Sequence, residues 1–423
     1  MKRSQFFLVL AAASLAVAAY VSAQTAPAAK RALTIPDIMA WKGAAGDALA
    51  EDGTWFAWRE TSLEGDGAMH FREVHGAKQY SFNLGEAPET GGAAAGRGGR
   101  GGGGAGANLA LSSDARNGAF LAYPTHAEGV QLHRERRPLE THAGLVNLAT
   151  GDKTDFARVR RFAFSGENPG WIALQKLPPA PPEGAAGTAS AAGAAPAGRG
   201  GAGRGGEAAP EPDPRGSDLI LHELATGAEF NLGSVGEFAF DRQGRYLAYT
   251  VAAEDRSGNG LELRDMQTGA TRALDSDDHA IYRGLGWNDA GTALAVLKGV
   301  DDKASLDKRY RVLGFTGFGT AGDAIAQKVE FNPAAASDFP AGMTVSPDRD
   351  PSWSEATDAL FFGIHKMRPA PPGAAPGRGR GPNAGDAAAP PGPNDTVDLI
   401  IWNYQDPRLQ SEQIVEEARD RSF

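Results

Sequence analysis

The stretch Glu237 to Leu274, EFAFDRQGRYLAYTVAAEDRSGNGLELRDMQTGATRAL, limits what this chain can fold into more than any other. Phe238 and Phe240 alternate with small or polar neighbours, and Asp241 to Gly244 supplies a tight turn. Tyr246 to Val251 is an apolar run, a loop passes through Ser257 to Gly260, and Leu261 and Leu263 then alternate with Glu262 and Arg264. Gln267 to Gly269 turns the chain into a last strand ending at Leu274. Four antiparallel strands in ~40 residues are the size of one β-propeller blade, a unit that buries its faces only against copies of itself.

The copies are present. The turn and second strand recur as Asp52-Gly53 with Phe56 to Trp58, Asp114 to Gly118 with Leu121 to Tyr123, Asp289 to Gly291 with Leu294 to Val296, and Ser354 to Asp358 with Leu360 to Phe362. The third strand and its Thr-Gly turn recur in Leu145 to Gly151 and Leu219 to Gly227, and Arg161 to Leu177 is a poorer first half with its turn at Gly166 to Gly170. The expected fold is therefore all-β, a propeller of four-stranded antiparallel blades with about six begun. The aromatic residues of the second strand, Trp58, Tyr123, Tyr249 and Phe362, are expected in the core, since both faces of a blade are covered by its neighbours.

Low-complexity segments interrupt the repeats at residues 91–107, 178–216 and 369–394. They are nearly pure Gly, Ala, Pro and Arg and bury too little apolar surface to offset the entropy lost on ordering, so they read as disordered insertions. By blade topology all of them should leave from one face. The Gly-Arg repeats invite a nucleic-acid reading, but the 423 residues carry a net charge of −10, and no nucleic-acid partner is expected.

Lys2 and Arg3 precede an apolar run from Phe6 to Ala19, and Val21-Ser22-Ala23 offers small residues where a signal peptidase reads. Residues 1–23 are expected to be a signal peptide cleaved between Ala23 and Gln24, with 24–32 a disordered tail and 33–423 the propeller. Export to the periplasm or the exterior follows, with no membrane association after cleavage. Thr34 to Asp37 reads as the capped start of a short helix, with Leu33, Ile38 and Trp41 packed on the first blade. After the last insertion Thr396 to Trp402 reads as a strand and Ser411 to Arg421 as a helix. A last blade is begun and not finished, so the chain reads as the front portion of a longer protein.

The chain has no cysteine, which removes disulfides, thiolate metal sites and a cysteine nucleophile together. No serine stands in a G-x-S-x-G elbow, and Ser165 lacks the first glycine. His222-Glu223 opens like a zinc-protease helix, but Thr226 stands where the second histidine belongs and Leu219, Leu221 and Leu224 frame a strand. Gly317 to Gly322 spells G-x-G-x-x-G after a strand, yet Asp323 to Phe331, before Pro333, is too short for a crossover helix. No catalytic residue, metal site or cofactor is expected.

Three passages together resemble exported bacterial members of the prolyl oligopeptidase family, including its dipeptidyl-peptidase-like branch. They are Leu33 to Asp37 with Trp41, Pro351 to Glu355 followed by Leu360 to Gly363, and Asp398 to Trp402 followed by Gln405 to Leu409. The resemblance implies a propeller that gates a C-terminal α/β-hydrolase domain bearing a Ser, Asp and His triad, which acts on short peptides. No position here matches the triad, so the peptide substrate would be met through a domain beyond this sequence. Some members read a substrate amino terminus with a glutamate pair in the propeller. Glu416-Glu417 is such a pair by composition, and a solvated helix face is its ordinary reading. The rival expectation is a non-enzymatic periplasmic propeller, similar to the TolB type, that binds a protein partner. Oligomeric state is open.

Overall fold

The computed structural model describes residues 33–39, 41–62, 65–86, 108–135, 137–178, 213–319 and 327–370. The cleavage site at Ala23 and Gln24, the pair Glu416 and Glu417, the strand and helix expected after residue 395, and nearly all of the three insertions lie outside them. The chain forms two compact units, Met1–Gly43 with Ser62–Glu64, and Ala44–Thr61 with Gly65–Phe423.

In the first unit a single-turn helix, α1 (Ile35–Met39), starts where the sequence predicts. The Thr34 amide and Oγ1 donate to Asp37 Oδ2 at 2.9 and 2.7 Å. Leu33, Ile38 and Trp41, expected to be covered, are exposed, because a helix of five residues is too short to present a continuous apolar face.

The second unit is a series of antiparallel sheets whose strands pair in chain order. The first holds β1 (Lys42–Leu49), β2 (Trp55–Ser62), β3 (Gly67–Glu73) and β4 (Gln79–Gly85). The second holds β5 (Leu109–Leu111), β6 (Asn117–Ala122), β7 (His142–Asn147) and β8 (Lys153–Phe156), with helix α2 (His126–Arg134) between β6 and β7. Then come β9 (Val159–Phe164), β10 (Trp171–Lys176), β11 (Ser217–Glu223), β12 (Glu229–Phe240), β13 (Tyr246–Val251), β14 (Gly260–Asp265) and β15 (Thr271–Ser276). These form two blades that share a strand. The first half of β12 pairs with β11 and its second half with β13, the register shifting between Val235 and Phe238.

The fifth blade is β16 (Ala280–Trp287), β17 (Ala293–Val300), β18 (Arg309–Thr316) and β19 (Gln327–Phe331). Of a sixth, β20 (Met343–Val345) pairs with β23 (Ile364–Lys366), and β21 (Ser352–Trp353) with β22 (Leu360–Phe361). Insertion 91–107 thus falls between blades, and 178–216 between the second and third strands of its blade, which in alternating antiparallel strands is the same end of the sheets.

Five buried clusters join successive sheets. Phe71, Met69 and Leu84 of the first meet Phe120, Val146 and Leu148 of the second. Leu121 and Leu145 meet Phe162, Phe164 and Ile172 of the third. Leu219, Leu221 and Val235 meet Phe238, Leu247 and Tyr249 of the fourth. Tyr246, Leu261 and Leu263 meet Tyr282, Leu294, Val296 and Phe315 of the fifth. Ile281, Leu297, Tyr310 and Val312 meet Val345 of the sixth. Both faces of a central blade are apolar because each face is an interface. The fold is therefore the expected propeller, with six blades represented. Of the four aromatics expected in the core, Tyr249 is buried, while Trp58, Tyr123 and Phe362 are half-buried. Trp58 stacks on Phe56 and His70 within its own sheet, on the face away from the second blade.

Adjacent blades also touch through backbone. Gly166 and Gly244, both at positive φ, lie in the first turns of blades three and four. A Cβ on Gly166 would stand 2.3 Å from Arg242 O, and one on Gly244 would stand 2.2 Å from Ser165 O. Only glycine allows that approach, and it lets the Glu167 amide donate to Arg242 O at 2.7 Å.

Candidate functional site

In blades two to six the first strand ends in a turn governed by one polar residue, where the first blade has Ala50. Ser112, Ser165, Asp241, Asn288 and Ser354 occupy this place, and their side-chain oxygens accept from Asn117, Trp171, Tyr246, Ala293 and Ala359 amides. Such short side chains suit the role because they cap backbone donors that the turn leaves unpaired. The turns fix the register of the strand that precedes them. Four residues upstream stand Asn108, Arg161, Glu237, Gly284 and Asp350, in blade order.

At or beside this position the strand bulges. The pairing shifts around Arg160 in β9, around Gly236 and Glu237 in β12, and around Gly284 and Leu285 in β16. In the sixth blade the interruption widens to residues 346–351, between β20 and β21. A bulge turns a side chain out of the alternating pattern, so residues that would point into an interblade core face the neighbouring first strand instead. The charged residues of the first strands, Arg160, Arg161, Glu237, Arg283 and Asp350, gather here into one rim.

The rim crosses from blade to blade. Arg160 Nη2 donates to Gly236 O at 3.2 Å and Arg161 Nη2 to Phe238 O at 3.3 Å, so β9 reaches β12. The Arg161 guanidinium also lies over the Phe238 ring, 4.3 Å from its centroid. Buried Gln175 donates to Val235 O and Gly236 O at 2.8 and 3.0 Å. From β12, Glu237 Oε2 accepts from the Gly284 amide at 2.7 Å, and Trp287 Nε1 donates back to Ala239 O at 3.2 Å. Gly284 has φ +70, and a Cβ there would lie 3.0 Å from Asp350 Oδ1. Two carboxylates, Glu237 and Asp350, thus converge on a single glycine.

Arg160, Arg161 and Arg283 stand among Glu237 and Asp350, and burial sets the titration of these groups. Burial pulls Arg161 down to about 10, with Glu237 opposing, so it stays protonated at neutral pH. Burial lowers Arg160 too. Glu237 is raised by burial and then by the like charge of Asp350, against the Gly284 amide, Arg161 and Arg283. Asp350 is crowded by protein on enough sides that burial raises it, against Arg283 and Arg161, although it keeps contact with solvent. Arg161 Nε is buried without a hydrogen-bond partner. Such a rim can hold and orient a charged ligand end; it contains no nucleophile.

Because the folded chain raises the Glu237 pKa, the stability linked to this group is complete below its unfolded pKa and is lost as pH rises through the folded value. Ionised Glu237 therefore costs stability at neutral pH. Glu237→Gln keeps an oxygen for the Gly284 amide and should raise stability at pH 7 by about 1 kcal/mol or less. The gain should vanish near pH 4, where the wild-type carboxyl is protonated as well, and urea titrations at both pH values measure it. A variant less stable at pH 7 would show that the charge is favourable.

Sequence reasoning passed over all five rim residues. A signal was available, since Arg161-Phe-Ala-Phe164 and Glu237-Phe-Ala-Phe240 are one motif with opposite leading charge. His222 and Glu223 lie on β11 as a strand, with His222 Nδ1 3.3 Å from Glu229 Oε1, and Ser165 is a turn serine, both as expected. Gly317 to Gly319 follow β18 as expected.

Comparison with protein-family models and with curated proteins finds no match. Among solved structures the chain is similar to one from a study of two prolyl endopeptidases, at 14% identity and TM-score 0.37, covering 80% of this chain and 42% of that one. It is similar to an acylaminoacyl peptidase at 8% identity and TM-score 0.37, covering 77% and 43%. TolB from Acinetobacter baumannii matches at 10% identity and TM-score 0.28, covering 69% and 54%. Strand order and the five interblade cores, rather than these low scores, make the second unit a propeller. The chain spans about two fifths of the length of the peptidases it resembles.

Proposed function

We propose that this chain is the substrate-filtering propeller of an exported serine peptidase of the prolyl oligopeptidase type, with catalysis carried by an α/β-hydrolase domain outside this sequence. The observation that carries the reading is the charged rim: blades three, four and six bring Arg161, Glu237 and Asp350 together at breaks in their first strands, where a peptide end can be met and oriented. The passages Leu33 to Asp37, Pro351 to Glu355 and Asp398 to Leu409 support the family, and the Lys2 to Ala23 leader supports export. Acyl transfer requires an activated nucleophile, a base in hydrogen-bond reach and oxyanion donors in one site, and no elbow serine is present in the sequence.

The test compares this chain with the product of the entire reading frame that contains it. Both are incubated with a serine-reactive fluorophosphonate and with short proline- and alanine-containing peptides. The longer product should label and cleave, and this chain should do neither. Labelling of this chain at a defined serine overturns the filter reading, and an unlabelled longer product favours a TolB-like propeller that binds a protein partner. Sequencing the secreted amino terminus checks whether Gln24 begins the exported protein.

A further inference from the structure

We infer that residues 397–402 dock on the free edge of blade six as its third strand, in the register that β11 holds in blade three. The inference does not depend on the filter reading. Among the described residues β22 and β23 pair with the first strand alone, so their outer edge offers backbone N–H and C=O groups with no strand to meet them. Phe361 on that edge is 57% exposed and Ile364 is 43% exposed. A propeller blade has four strands, and an apolar edge at the second of them marks the place of the third.

The sequence names the occupant. Ser217-Asp-Leu-Ile-Leu-His222 begins β11, and Val397-Asp-Leu-Ile-Ile-Trp402 repeats it after an insertion of the same composition. Where both blades are described, they already pair alike. Trp353 stands opposite Leu360 and Ser352 opposite Phe361, as Phe164 stands opposite Ile172 and Ala163 opposite Ala173. Leu360 and Phe362 pack toward blade five, as Ile172 and Leu174 pack toward blade two. In blade three the next pairs are Ala173 with Leu221 and Leu174 with Ile220, so the same register sets Ile401 opposite Phe361 and Ile400 opposite Phe362. Leu399 and Ile401 then share the face of Phe361, turned away from blade five.

The chain also leaves blade six at the end this requires. Leu306 N donates to Arg368 O at 2.9 Å, Ala370 N donates to Ala304 O at 3.0 Å, and Asp307 accepts from the Arg368 amide and Nε at 2.7 Å each. The loop between β17 and β18 thus grips the chain at the end of the sheet where an antiparallel third strand starts.

Hydrogen exchange on the full chain tests the docking without a variant. Amides of residues 398–402 should exchange about a hundredfold or more slowly than those of a synthetic peptide of the same sequence. The chain has no cysteine, so introduced thiols report the register by themselves. Phe361→Cys with Ile401→Cys, directly opposite on one face, should oxidise to an intramolecular disulfide, and Phe361→Cys with Ile400→Cys, on opposite faces, should not. Peptide-like exchange overturns the docking, as does failure of a folded Phe361→Cys, Ile401→Cys variant to cross-link. A cross-link through position 400 overturns the register, and a disulfide-linked dimer overturns the proposal in favour of a second copy on this edge.

Discussion

Replacing Asp275 by alanine should cost the fold about 3–5 kcal/mol, the penalty for removing one partner from a buried charged network. Asp275 ends blade four on β15, and its carboxylate collects groups from three strands of blade five. Tyr282 Oη donates to Oδ2 at 2.6 Å, Lys298 Nζ donates to the same oxygen at 2.9 Å, and Lys328 Nζ donates to Oδ1. Lys328 can relax into water, and Lys298 keeps Asp277 at 3.0 Å. The fully buried Tyr282 has no such recourse and is left with an unpaired hydroxyl. Burial alone would raise the Asp275 pKa, but the donors from Lys328, Tyr282 and Lys298 outweigh it and hold the group below the usual carboxylate range. Its stabilisation is thus present above the unfolded pKa and lost as pH falls through the folded one. Urea denaturation should show the gap between wild type and Asp275→Asn narrowing on acidification, and a gap independent of pH would refute the assignment.

A second large loss is expected for Phe120→Ala, about 3–5 kcal/mol for a fully buried aromatic truncated in a packed interface. Phe120 is fully buried between blades one and two, its ring 6.1 Å from Phe71 and 6.0 Å from Phe82. The cavity would open in the apolar centre of this seam, where packed neighbours leave little that can collapse to fill it. Chemical denaturation followed by tryptophan fluorescence measures the effect, and a loss under ~0.5 kcal/mol would mean that this interface bears little of the stability.

Much of this architecture was legible because blades repeat short-range chemistry. The Asp-Gly and Thr-Gly turns and the alternation of Leu261 to Arg264 are local signals, and the strands lie where those signals place them. Helix α2 was missed although it carries its own mark: Thr125 caps Glu128, whose carboxylate accepts from the Thr125 amide and hydroxyl at 2.9 Å. Strand β1 was missed because Lys42 to Leu49, KGAAGDAL, has almost no apolar alternation; pairing with β2 makes it a strand. The rim was invisible for a different reason. Arg161, Glu237 and Asp350 are far apart in sequence and are brought together by a bulge at one register, and a bulge is a property of two paired strands rather than of either alone.

Strand β12 carries a consequence for how the molecule breathes. Elsewhere in the propeller a connecting segment separates the last strand of one sheet from the first of the next, and neighbouring sheets can part at that seam by rotating a few backbone bonds. Between the third and fourth blades the backbone runs through the seam as one strand, bent where Ser234 takes φ +56 and at the bulge around Gly236 and Glu237. Opening there would demand that hydrogen bonds to β11 or β13 be surrendered along with the apolar contacts. The smallest cooperative piece in this region is accordingly a welded double blade, and the rim residues Arg161 and Glu237 ride on its two halves at a spacing that local opening elsewhere cannot disturb.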